Sequence, residues 1–75
     1  MTRVPPISVR DALALLLVYR IDHDVRERGE HSRFRHRDGR ATTLVEHDDR
    51  PISPTLVRLM AADLEMTVED FLRQL

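Results

Sequence analysis

Cysteine and lysine are both missing from this 75-residue chain. Without cysteine no disulfide or thiolate–metal staple braces the fold, and nothing points to an oxidising compartment. Without lysine every basic side chain is a guanidinium, a group suited to bidentate phosphate contact and to stacking on bases. Glycine occurs only at Gly29 and Gly39. Long apolar runs are missing as well: the longest, residues 12–19, has eight residues, against the roughly 20 needed to cross a bilayer. The opening MTRVPPISVR has no apolar stretch before its prolines and does not read as a secretory signal. Together these absences predict a cytoplasmic protein without a membrane segment. The length predicts one domain, residues 1–75, with a marginal core: a chain of this size buries only about 60% of the surface it exposes when unfolded. A partner or an oligomer is therefore expected to supply part of the stability.

What is present is unevenly placed. The net charge is −1, but residues 1–25 carry three arginines against three acids, residues 26–40 six against three, and residues 41–75 three against seven. Near-neutrality hides a dipolar molecule. The stretch RERGEHSRFRHRDGRATTLVEH, residues 26–47, holds half of the arginines and three of the four histidines.

The pattern along the chain predicts α-β-β-β-α-α. Ser8 and Asp11 form a helix-start signal ahead of DALALLLVYR, with Leu13, Leu16, Leu17 and Arg20 on one face and Leu15 and Val18 elsewhere. Such a helix is either deeply buried or turns a second apolar face to a protein partner. Ile21, His23 and Val25 alternate with Asp22, Asp24 and Arg26 as in a half-buried strand that Gly29 ends. In HSRFRHR, His31, Arg33, Arg35 and Arg37 alternate with Ser32, Phe34 and His36. Asp38-Gly39 is a strong hairpin signal, and the return strand RATTLVEH is rich in β-branched residues. Ser53-Pro54 starts a helix whose expected apolar stripe is Leu56, Leu59, Met60 and Leu64. Thr67 with Asp70 caps a last short helix that buries Val68, Phe71, Leu72 and Leu75. The predicted fold is α+β, a three-stranded antiparallel sheet with helices on one face and the other open to solvent. Phe34 points to the core, and His31, Arg33 and Arg35 lie on the open side.

That face has a definite chemistry. Residues two apart on a strand stand about 6.5–7 Å apart on the same side, a spacing at which arginines meet neighbouring phosphates of a nucleic acid. Their field disfavours protonating His31. A neutral imidazole can take the proton of an RNA 2′-hydroxyl while guanidiniums stabilise charge on the phosphorane, which is metal-free transesterification. The candidate RNA ligands are Arg28, Arg33, Arg35, Arg37 and Arg40. His36 reads as turn-supporting and His23 as structural, while His47 either bonds loop backbone or assists at the site. IDHDV and EHDD mix imidazole with carboxylate but lack metal-ligand spacing, and no cofactor is expected.

Residues 26–47, followed by ISPTLVRLMAADLEMTVEDFLRQL, resemble the HicA (YcfA-like) toxin family, the mRNA-cleaving half of a type II toxin–antitoxin pair. The matching features are Gly29, His31, Phe34, His36, Asp38-Gly39-Arg40, His47, Thr55-Leu56 and Glu69-Asp70-Phe71, in order, with ISVRDALALL as the opening helix. The resemblance implies a double-stranded-RNA-binding-like fold, ribosome-independent and metal-independent endoribonuclease activity on mRNA, and a HicB-like antitoxin over the active face. It also implies that DNA is met only through that antitoxin. The family's catalytic histidine falls on His31. Glu30 stands where the family has a small residue, where it either orients His31 or repels phosphate. Val45 replaces a common proline, Glu65 a helix-ending glycine, and Asp48-Asp49 bring acids to a loop that often carries lysines. Two other readings compete. One is an RNA-binding module without catalysis. The other is a helix-turn-helix DNA-binding regulator formed by residues 52–75, although Glu69 and Asp70 would then sit where phosphates lie.

Overall fold

The computed structural model describes residues 3–24, 31–45 and 50–75. Its first element begins as the cap signal requires. Ser8 is extended (φ −73°, ψ 158°), and its hydroxyl accepts a hydrogen bond from the Asp11 amide at 3.0 Å, starting α1, Val9–Val18. The helix ends in two further bonds: the Arg20 amide donates to the Leu17 carbonyl (3.0 Å) and the Ile21 amide to that of Leu16 (2.8 Å). This is a Schellman ending, with Leu16 and Ile21 buried as its apolar pair. The residue at its left-handed position is Arg20, at φ +60°, where glycine is usual.

Three strands follow: β1 (Asp22–Asp24), β2 (His31–Arg35) and β3 (Ala41–Val45), antiparallel and in that spatial order. Of the first strand expected from residues 21–28, the described part is Asp22–Asp24. The β2–β3 connection is a three-residue loop. The His36 amide donates to the Arg40 carbonyl (2.8 Å) and the Gly39 amide to the His36 carbonyl (2.9 Å). Gly39 has φ +101°, whereas Asp38 does not have positive φ. Asp38-Gly39 therefore does not form a two-residue type I′ turn, which needs positive φ at both positions. The loop is a type I turn closed by a left-handed glycine.

Ser53 caps α2 (Pro54–Asp63), its hydroxyl accepting from the Leu56 amide at 3.3 Å, with Pro54 in the first turn, where its missing N–H costs nothing. The helix closes with a second Schellman pair: the Glu65 amide to the Ala62 carbonyl (3.0 Å) and the Met66 amide to that of Ala61 (2.9 Å). Glu65 takes the left-handed position at φ +57°. Thr67 then caps α3 (Val68–Leu72), accepting from the Asp70 amide at 3.1 Å. An isolated antiparallel bridge between Ile7 and Ile52 ties the lead-in of α1 to that of α2.

The core joins all three helices to one side of the sheet, with Leu15, Leu16, Leu44, Val57, Leu64 and Phe71 almost wholly buried. Helix faces depart from the expected stripes. In α1 the buried set is Ala12, Leu15 and Leu16, while Leu13 and Leu17 are 38% and 76% exposed. In α2 Val57, Met60 and Ala61 are buried, and Leu59 is 55% exposed. In the C-terminal segment Phe71 is buried, Val68 and Leu72 pack partly against the core, and Leu75 is exposed. The reason is the same in each case: these segments have apolar residues on more than one arc, and the sheet selects which arc is covered. Polar ties fix the layers. The Tyr19 hydroxyl reaches the carbonyls of Asp70 and Phe71, and its ring stacks on Phe71 at 6.2 Å. The buried Thr42 hydroxyl donates to Asp63 Oδ2 at 3.0 Å. Among the described residues no helix is long and apolar enough to cross a membrane.

Candidate nucleic-acid interface

The two sides of the sheet differ as alternation demands. Phe34 pairs with Thr42 and Ser32 with Leu44 across β2 and β3; Phe34, Thr42 and Leu44 are buried against the helices. On the other side Arg33 stands opposite Thr43 and Arg35 opposite Ala41. Arg35 is exposed and Arg33 half-buried. Arg33 Nη1 donates to Thr43 Oγ1 at 3.1 Å, a cross-strand bond that holds its guanidinium over the sheet. The other neighbour of β2 adds something not read from the sequence. The register sets Asp22 alongside Arg35 and Asp24 alongside Arg33, so each arginine position has an acidic position beside it on β1. The arginine side of β2 is not flanked by uniformly positive strands.

His31 opens β2 opposite Val45, two residues from Arg33 and four from Arg35. Its imidazole lies outside the described residues, as do Arg28, Glu30 and His47. At about 3.3 Å per residue, the His31 and Arg35 backbones are about 13 Å apart, and the hairpin loop lies beyond Arg35. Arg37, in that loop, is therefore at the opposite end of β2 from His31.

Arg40, expected among the phosphate ligands, is engaged within the fold. Its Nε donates to Asp38 Oδ2 and its Nη1 to the Leu64 carbonyl, both at 2.8 Å. The second bond caps the C-terminal end of α2, where the peptide dipoles leave partial negative charge, and fastens the hairpin to the helical layer. Asp38 also accepts from the Arg40 amide through Oδ1 at 3.0 Å. That backbone bond above all holds the Asp38 carboxyl below its ordinary value; desolvation opposes it, and the Arg40 guanidinium and the neighbouring His36 add to the lowering. His36 supports the turn, its Nδ1 accepting from the Asp38 amide at 3.0 Å. His23 lies against Phe34 with ring centroids 5.0 Å apart, covering the edge of the core.

A cleft of about 230 Å³ opens at the hairpin end, lined by Arg20, Asp22, His36 and Arg37. Of these, the sequence pattern singles out only Arg37 as a ligand. No short-range pattern relates residue 20 to residue 37; the Schellman turn after α1 and the β1–β2 register bring them together. Among the described residues no three His, Asp or Glu side chains converge as metal ligands. No protein-family model matches the chain, and no curated protein or solved structure matches it either.

Proposed function

We propose that this protein is an mRNA-cleaving toxin of the HicA type, acting in the cytoplasm and held by a HicB-like antitoxin. The observation that supports the reading most is the side of β2 turned away from the helices, where Arg33 and Arg35 stand on the strand that His31 opens. In the proposed step the His31 imidazole removes the 2′-hydroxyl proton. The 2′-oxygen bonds to phosphorus as the bond to the 5′-oxygen breaks, the departing 5′-oxygen takes a proton from solvent to leave as a hydroxyl, and arginines stabilise the charge carried by the phosphorane. Leu13, Leu17 and Val18 on α1 are exposed at 38%, 76% and 54%, which favours a protein partner. The helix-turn-helix alternative is disfavoured by α3: it spans only Val68–Leu72 and carries Glu69 and Asp70 in its first turn, opposite in charge to what a phosphate backbone would attract.

The test is a substitution at His31. The His31→Ala protein is expected to fold with an unchanged thermal midpoint and to lose RNA cleavage by about 10²- to 10⁴-fold, the range for a missing general base. It should also lose its toxicity on expression. Full cleavage by this variant would refute the catalytic assignment. RNA binding without cut ends in the unsubstituted protein would establish the non-catalytic module instead.

A further inference from the structure

The cleft at the hairpin end lies away from His31 and carries its own chemistry. Arg20 and Arg37 line it from two different elements, the turn after α1 and the β2–β3 loop. Among the described residues neither guanidinium has an ion-pair partner, and neither is in salt-bridge contact with Asp22, although all three line the same space. Two guanidiniums lining one concavity suit an anion, since each brings a fork of donors matched to a phosphate.

His36 adds a donor whatever its protonation. Its Nδ1 lies 3.0 Å from both the Asp38 amide and Asp38 Oδ1. A neutral ring accepts from the amide through Nδ1 and carries its proton on Nε2. A protonated ring donates from Nδ1 to the carboxylate and still has Nε2–H. The loop that holds Arg37 and His36 is itself anchored, because Arg40 bonds both Asp38 and the end of α2. The backbone of the loop that carries both residues is thus fixed before ligand arrives.

Asp22 decides what accompanies the phosphate. A carboxylate beside two guanidiniums opposes a bare anion but accepts a hydrogen bond from a hydroxyl close to one. A ribose 2′-hydroxyl next to a phosphate meets both requirements, and a deoxyribose does not. We propose that Arg20, His36 and Arg37 bind a ribonucleotide phosphate while Asp22 accepts from the adjoining 2′-hydroxyl, making the cleft a ribose-phosphate subsite. This deepens the RNA reading above, but it stands on residues apart from His31 and is measured without cleavage.

The left-handed backbone of Arg20 does not by itself mark the site, since Glu65 takes the same position after α2. It does govern the choice of variant. Arg20→Asn removes the guanidinium with a residue that tolerates positive φ, and Arg37→Gln removes the second guanidinium from a loop position of ordinary φ.

The experiment is a titration with uridine 3′-monophosphate, its 2′-deoxy counterpart and hexauridylate lacking terminal phosphates, followed by amide and histidine-ring chemical shifts. Uridine 3′-monophosphate is expected to shift the signals of Arg20, Asp22, His36 and Arg37 saturably. Arg20→Asn and Arg37→Gln should each weaken it about tenfold or more while thermal midpoints stay close to that of the unsubstituted protein. The deoxy compound should bind several-fold more weakly, and Asp22→Ala, which leaves no side-chain acceptor, should abolish that difference. Hexauridylate producing the same shifts would identify an RNA strand as the source of the phosphate; mononucleotide shifts alone would identify a free or terminal phosphate, and either supports the subsite. Affinities unaffected by both arginine substitutions, or shifts confined to the His31 end of β2, would overturn it. Loss of cleavage in His31→Ala alongside such a result would sink the cleft and leave the RNA reading intact.

Discussion

Asp38 shows how one side chain organises a loop. It accepts from the Arg40 amide through one oxygen and from the Arg40 guanidinium through the other, while His36 Nδ1 takes the Asp38 amide. Its carboxyl is held below the ordinary 3.8 by those bonds, so folding favours the ionised form. The resulting stabilisation is complete above that ordinary value and disappears as pH falls through the lower native one. Asp38→Asn should therefore be less stable than the parent near neutrality and flatter in its acid limb. Urea unfolding at a series of pH values from about 6 down to about 2 checks this. Parallel curves for the two proteins would show that Asp38 contributes no pH-dependent stability. The same bonds were invisible to a period-2 reading of β2 and β3, which treats Arg37 and Arg40 as two more basic positions. Hydrogen-bond geometry, not spacing, separates a ligand candidate from a loop brace.

The helices were legible at their starts and less so along their flanks. Ser8, Ser53 and Thr67 cap as their side chains suggest, because capping is a local bond between a side-chain oxygen and an amide three residues on. The ends are more unusual. Both α1 and α2 close with Schellman pairs around a non-glycine residue, Arg20 and Glu65. The left-handed conformation costs a residue with a Cβ roughly 1–2 kcal/mol relative to glycine. Glu65→Gly removes that strain at an exposed position and is expected to stabilise the protein by about 0.5–1 kcal/mol after the extra chain entropy of glycine is deducted. Chemical denaturation with an unchanged m-value would register the gain as a higher midpoint. A lower midpoint would mean that the Glu65 side chain contributes more than its backbone costs.

Seen as a whole, the molecule has one small core on which each layer depends. Phe71 is fully buried, stacks with Tyr19 and lies in the same cluster as Leu15, Leu44 and Leu64. Phe71→Ala should cost about 3–5 kcal/mol, which equals the whole stability expected of a single core below about 80 residues. The variant is accordingly expected to lose its cooperative thermal transition by circular dichroism. A sharp transition shifted by only a few degrees would show that α3 is an accessory to a core held by α1, α2 and the sheet. The dipolar charge distribution also belongs to this scale. Among the described residues the arginines of this segment do not form one positive surface, since β1 sets acidic positions beside Arg33 and Arg35, and Arg40 turns to the end of α2.

The amino-acid order by itself determined what depends on neighbours within a few residues: the helix starts, the hairpin, the inward Phe34 and the α-β-β-β-α-α succession. Each is a matter of local bonds or of the two-residue pleat, and each recurs in the folded chain. Only the tertiary structure decided which arc of α1 and α2 is buried, how Arg40 is used, and which basic residues share a cleft. Those outcomes depend on the register of β1 against β2 and on the packing of helices across the sheet. Both are contacts between residues far apart in the chain, and local periodicity carries no information about them.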